Sequence, residues 1–244
     1  MTNILLYPVV TTASAKQAVS LLHKYGISTI THPAPEITHL MLDVPSFTPE
    51  GSLRCGEDPE TILERIPPDV TVIGGNLTHP ALAAYRKLDL LQDEAYLARN
   101  AAITADCALR IAAPLLKTTF QDTSTLILGW GRIGKCLAGL LKALGAPVTV
   151  AVRSKKDLAM LQALGYAAVD YSHLPESTQL VFNTVPGQNF ENISGCVKID
   201  LASQRSLPGE DVIWARGLPG IIAPETSGRL IAETILRLFK EESS

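Results

Sequence analysis

Thr125-Leu126-Ile127-Leu128-Gly129-Trp130-Gly131-Arg132-Ile133-Gly134 reads as a short β-strand that runs straight into a G-x-G-x-x-G turn and then a helix. That context makes the glycines informative. The first permits a tight turn, the second leaves room for a pyrophosphate against the backbone, and the third lets the helix pack closely on the strand, with the anion resting on amides at the helix N-terminus. Gly129, Trp130, Gly131, Arg132, Ile133 and Gly134 are therefore the first candidate cofactor-binding residues.

Downstream the pattern alternates as a doubly wound domain requires. Helix Arg132–Leu144 carries an apolar stripe of Ile133, Leu137, Leu140, Leu141 and Leu144, and Gly145 ends it. Strand Val148–Val152, helix Lys155–Leu164 and strands Leu180–Phe182, Val197–Asp200 and Val212–Ala215 follow. A site that selects NAD places Asp or Glu at the end of the second strand. Here Val152 is followed by Arg153, Ser154 and Lys155, which offer cationic and hydroxyl donors to a 2′-phosphate. NADP is the expected cofactor, and NAD the less favoured one.

The residues upstream read as a second, smaller α/β domain. Ile4–Tyr7 is strand-like, a helix through Ala15, Val19 and Leu22 closes at Gly26, and Ile27–Ile30, Thr38–Leu42 and Val70–Ile73 are further strands. The Ala-rich stretch Leu91–Leu116 has apolar residues nearly all round, as expected of a long helix buried between two bodies. The expected fold class is α/β, a doubly wound parallel-sheet Rossmann domain with a smaller N-terminal α/β domain. The expected segments are a flavodoxin-like domain over residues 1–90, a connecting helix over 91–117, the Rossmann domain over 118–225, and a C-terminal helix over 226–244 that packs on the first domain.

Composition narrows the function classes. With 46% hydrophobic residues, 18% charged residues and a net charge of −3 without a basic block, the chain suits neither a disordered segment nor a nucleic-acid-coating protein. Cys55, Cys107, Cys136 and Cys196 lie far apart, with no C-x-x-C and no zinc-like His spacing, so no metal site or disulfide framework is expected and a reducing cytoplasm fits. No apolar stretch reaches the roughly 20 residues that span a bilayer.

In such a domain the chemistry sits past the carboxyl ends of the strands. Asn183-Thr184-Val185-Pro186, Asp200-Leu201-Ala202-Ser203 and Gly217-Leu218-Pro219-Gly220 occupy those places, and their amide, hydroxyl, Gly and Pro content suits a carboxamide ring and a small polar substrate. Asn183, Thr184, Asp200 and Ser203 are the catalytic candidates. Thr184, Val185 and Pro186 extend the cofactor set, and Gly217, Leu218 and Pro219 belong to the substrate side. D-2-hydroxyacid dehydrogenases share this domain plan but use a late His as acid/base, and none of His23, His32, His39, His79 and His173 follows the fifth strand.

The stretches Leu128–Gly134, Arg153-Ser154, Asn183–Pro186, Ile199–Ser203 and Gly217–Pro224 together resemble the A subunit of dipicolinate synthase, a family of spore-forming bacteria, over roughly residues 122 to 230. The resemblance reaches back to Asn100, Thr104 and Asp106, and so adds Asn100 and Thr104 to the substrate-binding candidates. It implies NADP-linked oxidation of a dihydrodipicolinate-type cyclic imine diacid to dipicolinate, in company with a flavoprotein-like second subunit. The two carboxylates of such a substrate call for cationic or amide donors, for which Arg205, Arg216, Arg99 and the backbone near Gly217 are available. A His is not required, because forming an aromatic ring favours hydride loss and the remaining proton is acidic beside an imine. This chain departs from the family where Tyr7–Thr12 replaces a glycine-rich opening, and where Gln204-Arg205-Ser206-Leu207 replaces a basic-Pro-Gly-Gly run. A shifted substrate or another small imino or oxo acid, a non-catalytic nucleotide-binding subunit, and a homo-oligomer all stay open on these residues.

Overall fold

The computed structural model describes residues 4–190 and 193–242. Residues 1–3 and 243–244, the extreme ends of the first and last expected segments, lie outside the described residues. The chain divides into two units, Met1–Asn100 with Pro219–Ser244, and Ala101–Leu218.

The first unit holds β1 (Leu5–Val9), α1 (Ala13–Lys24), β2 (Ser28–Thr29), β3 (His39–Leu42), α2 (Pro59–Leu63), β4 (Thr71–Gly74), β5 (Arg86–Asp89) and the start of α3 (Glu94–Ala112). Its five strands form a parallel sheet in the order β2-β1-β3-β4-β5, the flavodoxin-like winding with its switch point between β1 and β3. At that switch point the buried Asp43 carboxylate accepts from the N–H and hydroxyl of both Thr11 and Thr12, at 2.5 to 3.0 Å. Thr12 also caps α1 through Ala15 N–H. Thr11 and Thr12 thus fold as a closed corner tied to Asp43, just past β3.

The second unit holds the rest of α3, then β6 (Thr125–Leu128), α4 (Arg132–Ala143), β7 (Val148–Val152), α5 (Lys155–Ala163), β8 (Ala167–Asp170), β9 (Leu180–Asn183), β10 (Val197–Asp200) and β11 (Val212–Trp214). All six strands are parallel in the order β11-β10-β9-β6-β7-β8, which is the Rossmann winding with β6 and β9 flanking the switch point. Along α4, Leu137 and Leu141 are buried, whereas Leu140 and Leu144 of the expected stripe are exposed. The other face of the sheet is covered differently. No helix is present among the described residues of the β8–β9, β9–β10 and β10–β11 connections, and Leu126, Leu128 and Val181 pack there against Phe190, Ile193 and Leu207 from those loops.

The chain returns to the first unit through α6 (Leu218–Ile222) and α7 (Pro224–Glu242), and α7 lies along α1. The approach is close. A Cβ on Gly228 of α7 would fall 2.6 Å from the Ser14 carbonyl oxygen of α1. Farther along α7, Phe239 meets His39 edge-on at 4.9 Å, and His39 Nδ1 pairs with Thr38 Oγ1 at 2.8 Å. Burial, helped by the charge of Arg86, pushes the His39 pKa down from 6.5 to about 4. The unfolded chain therefore binds more protons than the native one between those values, so the stability held above about pH 6.5 should fall as pH drops toward 4. Urea midpoints across this window should show that decline, and His39→Phe should flatten it. An equal slope in the variant would assign the decline to other groups.

Candidate functional site

The three glycines of the turn after β6 do different physical work. Gly129 has φ +99°, and a Cβ there would lie 2.6 Å from Val185 Cγ2 and 2.7 Å from Thr184 Oγ1. A Cβ on Gly134 would meet the Gly129 carbonyl oxygen at 2.3 Å, so this glycine sets how closely α4 seats on the turn. Gly131 is the opposite case: its φ of −75° suits any residue, yet its Cβ position faces open space within 4 Å. That opening lies at the N-cap of α4, where backbone N–H groups and the helix dipole favour an anion. The donor set fits the pyrophosphate of a dinucleotide, with the amides of Arg132 and Ile133 nearest in the chain.

Thr184 straps this turn from the neighbouring strand. Its N–H and its hydroxyl both donate to the Leu128 carbonyl oxygen, at 2.9 and 2.8 Å. The hydroxyl read from sequence as catalytic is therefore engaged with the turn. Asn183 and Asp200, at the ends of β9 and β10, are brought together: Asn183 Nδ2 donates to Asp200 Oδ1 at 2.8 Å. Both side chains are fully buried, at 0% exposure. Asp200 Oδ1 also accepts from Ala202 N–H, and Oδ2 accepts from the N–H groups of Ser206 and Leu207. Asn183 holds Val185 through both its N–H and its carbonyl. Asn183 and Asp200, catalytic candidates from the sequence, have no accessible surface here and are bonded on every side by the chain, an arrangement that positions the loops after β9 and β10.

Ser206, which no sequence motif singles out, completes this network. Its hydroxyl donates to the Val185 carbonyl oxygen at 2.9 Å, so the loops after β9 and β10 are tied to each other as well as to their own strands. Trp214 adds an Nε1–H bond to the Ala202 carbonyl oxygen at 3.1 Å. Of the remaining candidates, Ser203 is exposed and Pro186 exposed beside the half-buried Val185. Arg205 is exposed and donates to the Gly209 carbonyl oxygen, while Arg216 lies over the Trp214 ring. Gly217 is exposed at φ +66°, and Leu218 and Pro219 are buried at the start of α6. Asn100 and Thr104 stand one turn apart on α3, the first half-buried and the second nearly closed off. Arg99 is paired with Glu233 at 2.8 Å.

At the end of β7, Arg153, Ser154 and Lys155 are exposed, with no acid before Asp157. Ser154 caps α5, accepting from Asp157 N–H at 3.3 Å, which leaves its own O–H to donate. Trp130 turns its ring toward Tyr166, edge-on at 5.5 Å. A separate cleft of about 200 Å³ is lined by Leu126, Tyr171, Glu176, Thr178, Ile193 and Cys196. It contains none of the candidate residues. No group of His, Cys, Asp or Glu suited to a metal ion occurs among the described residues, and no helix there is long and apolar enough to cross a membrane.

Fold and glycine turn together define a dehydrogenase-type protein that binds a nicotinamide dinucleotide. Residues 81–192 match the NAD binding domain of D-isomer specific 2-hydroxyacid dehydrogenases, and by class the chain is an NAD(P)-dependent oxidoreductase. Within that class it is a protein like the A subunit of dipicolinate synthase. The A subunit of that enzyme from Bacillus subtilis (strain 168) is 27% identical over 237 residues, covering 86% of this chain and 80% of that protein. Crystal structures show the same fold. The dipicolinate synthase A subunit from Bacillus halodurans has a TM-score of 0.80 at 20% identity, covering 97% of this chain and 98% of that one. A transhydrogenase from Sinorhizobium meliloti has a TM-score of 0.69 at 13% identity, covering 98% and 94%.

The contrast between glycines gives a direct test. Gly131→Val should keep stability within about 1 kcal/mol of the parent while dinucleotide binding is lost. Gly134→Val, which drives a side chain into the Gly129 backbone, should cost about 1–3 kcal/mol in urea unfolding. Retained binding in the Gly131 variant would mean that the opening holds no ligand.

Proposed function

We propose that the chain is an NADP-dependent oxidoreductase that oxidises a dihydrodipicolinate-type cyclic imine diacid to dipicolinate. The observation that carries the cofactor choice is the pairing of the open Gly131 turn with Arg153, Ser154 and Lys155 at the end of β7 and no carboxylate there. The substrate class rests on the similarity to the dipicolinate synthase A subunit over most of the chain. That relative is one subunit of its synthase, which supports a second, flavoprotein-like partner here, and the scattered free cysteines suit a reducing cytoplasm.

A bound NADP⁺ supplies the hydride acceptor. The residues of this chain have the task of orientation. The turn at Gly131 would hold the pyrophosphate, Arg153 and Lys155 would offer cations to a 2′-phosphate, and Val185 and Pro186 would offer the apolar edge for the ring. Arg205, Ser203 and the backbone at Gly217 offer donors to the carboxylates of a planar diacid. With Asn183 and Asp200 sealed, no buried acid or base is needed: loss of hydride makes the ring aromatic, and the accompanying proton leaves to solvent from a carbon beside an imine. The same sealing favours, as a second reading, a nucleotide-binding protein without catalysis of its own.

Calorimetry should show NADP(H) bound at least about tenfold more tightly than NAD(H), about 1.4 kcal/mol for a charge-assisted phosphate contact. Equal affinities or an NAD preference would reject the cofactor assignment. Dipicolinate should bind the cofactor-loaded protein more tightly than the free protein, because the ring forms one wall of its pocket. Absence of binding at millimolar dipicolinate, with no NADPH formed from dihydrodipicolinate in the presence of the flavoprotein-like partner, would move the assignment to the second reading or to another acid.

A further inference from the structure

β11 is the outermost strand of the second sheet and has β10 as its one neighbour among the described residues. Ile213 stands opposite Ile199, and the Ala215 N–H donates to the Asp200 carbonyl oxygen at 2.8 Å. Backbone groups alternate in direction along a strand, so Ile213 and Ala215 address β10 while Val212 and Trp214 direct their N–H and C=O toward the open edge. Natural sheets protect such an edge by shortness, charge, a bulge or a covering element, and β11, at three residues, is short. Of the two residues that face the edge, Trp214 is 45% exposed and Val212 9%, and between them Ile213 is 37% exposed. Charge is confined to the flanks, with Glu210-Asp211 before the strand and Arg216 after it.

We propose that β11 pairs antiparallel with β11 of a second copy of this chain about a twofold axis at Ile213, joining the two sheets edge to edge. In that register the outward-facing Val212 and Trp214 of one strand meet Trp214 and Val212 of the other as hydrogen-bonded pairs, and the two Ile213 side chains meet on the axis as a close non-hydrogen-bonded pair. The acidic turn at Glu210 then comes beside Arg216 of the second copy, twice by symmetry. Asp211 stays with the buried Lys198 ammonium, at 2.9 Å, and is not drawn into the junction. Shifting the register by one residue sets outward groups against inward ones. Shifting it by two sets Trp214 against Trp214 or Val212 against Val212 and moves Glu210 away from Arg216. Sequence and edge geometry therefore agree on one self-complementary pairing, and a second copy satisfies both flanks without a further partner.

The test is oligomeric state by light scattering and sedimentation across roughly 1 to 100 µM protein, where a weak edge contact dissociates. The parent should show a concentration-dependent dimer. Arg216→Glu and Glu210→Arg should each weaken it at least tenfold, and the combined swap should restore it, since the cross-strand pairs re-form with reversed sign. Ile213→Lys, which puts two ammonium groups on the axis, should leave a monomer with an unchanged melting midpoint. Amide exchange supplies a second readout: Val212 and Trp214 N–H should be protected in the dimer and released by Arg216→Glu, while Ala215 N–H stays protected in both. A monomer throughout the range, a dimer indifferent to these changes, or a combined swap that fails to restore it would overturn the proposal.

Discussion

A carboxylate withdrawn from water must collect its hydrogen bonds from the chain, and the carboxyl edge of each sheet is organised around that requirement. Asp200, with 0% exposure, gathers three backbone N–H groups and the Asn183 amide. Asp43 does the equivalent in the first unit with the N–H and hydroxyl groups of Thr11 and Thr12. Asp89, half-buried at the end of β5, holds the amides of Asn76, Leu77 and Leu91. Each acid stands at the end of a strand or one residue past it, and each turns the loop beyond it into a fixed object. Replacing such a group leaves several buried donors without a partner, at about 1–3 kcal/mol apiece.

The second constraint is close approach. Gly129 and Gly134 permit the turn after β6 to lie against Thr184 and Val185, and Thr184 returns two bonds to Leu128. The loop after β9 is thereby fixed from both sides, by the glycine turn through Thr184 and by Asp200 through Asn183 and Ser206. Order of this kind suits a site whose contribution is orientation, since a ring and a planar substrate held in register need no large reorganisation as hydride passes. It also explains how the β9–β10 and β10–β11 connections hold their place with no helix among their described residues, because they are fixed by buried polar bonds as well as by Phe190, Ile193 and Leu207.

Much of this is legible in the sequence, and the limits of that legibility are physical. Central strands such as Thr125–Leu128 (Thr-Leu-Ile-Leu) and Leu180–Asn183 (Leu-Val-Phe-Asn) each carry three large apolar residues in a row, since both faces are covered. β5 (Arg-Lys-Leu-Asp) and β8 (Ala-Ala-Val-Asp) carry a weaker signature, charged in the first and small in the second, because each is the outer strand of its sheet and half-exposed. The glycine turn can be assigned by context alone. The roles of Asn183 and Asp200 cannot, because an amide and an acid at strand ends look the same whether they face a substrate or each other. Ser206 gives no signal at all: its importance arises from the pairing of β9 with β10, which no local pattern encodes. Leu140 and Leu144 fit the apolar period but are exposed while Leu137 and Leu141 are buried, so periodicity alone overstates the width of the buried stripe.

A preformed dinucleotide site underlies the proposed chemistry: an opening at Gly131 beside the cations after β7, with strand-end loops already locked by Asp200. A crystal structure of the protein with NADP⁺ tests it most directly. The expected result is the pyrophosphate on the amides of Arg132 and Ile133, the 2′-phosphate against Arg153 or Lys155, and loop shifts below about 1 Å with the Asn183–Asp200–Ser206 bonds intact. A dinucleotide bound elsewhere, or one that seats only after these bonds break and Asp200 turns to face it, would contradict a preformed site.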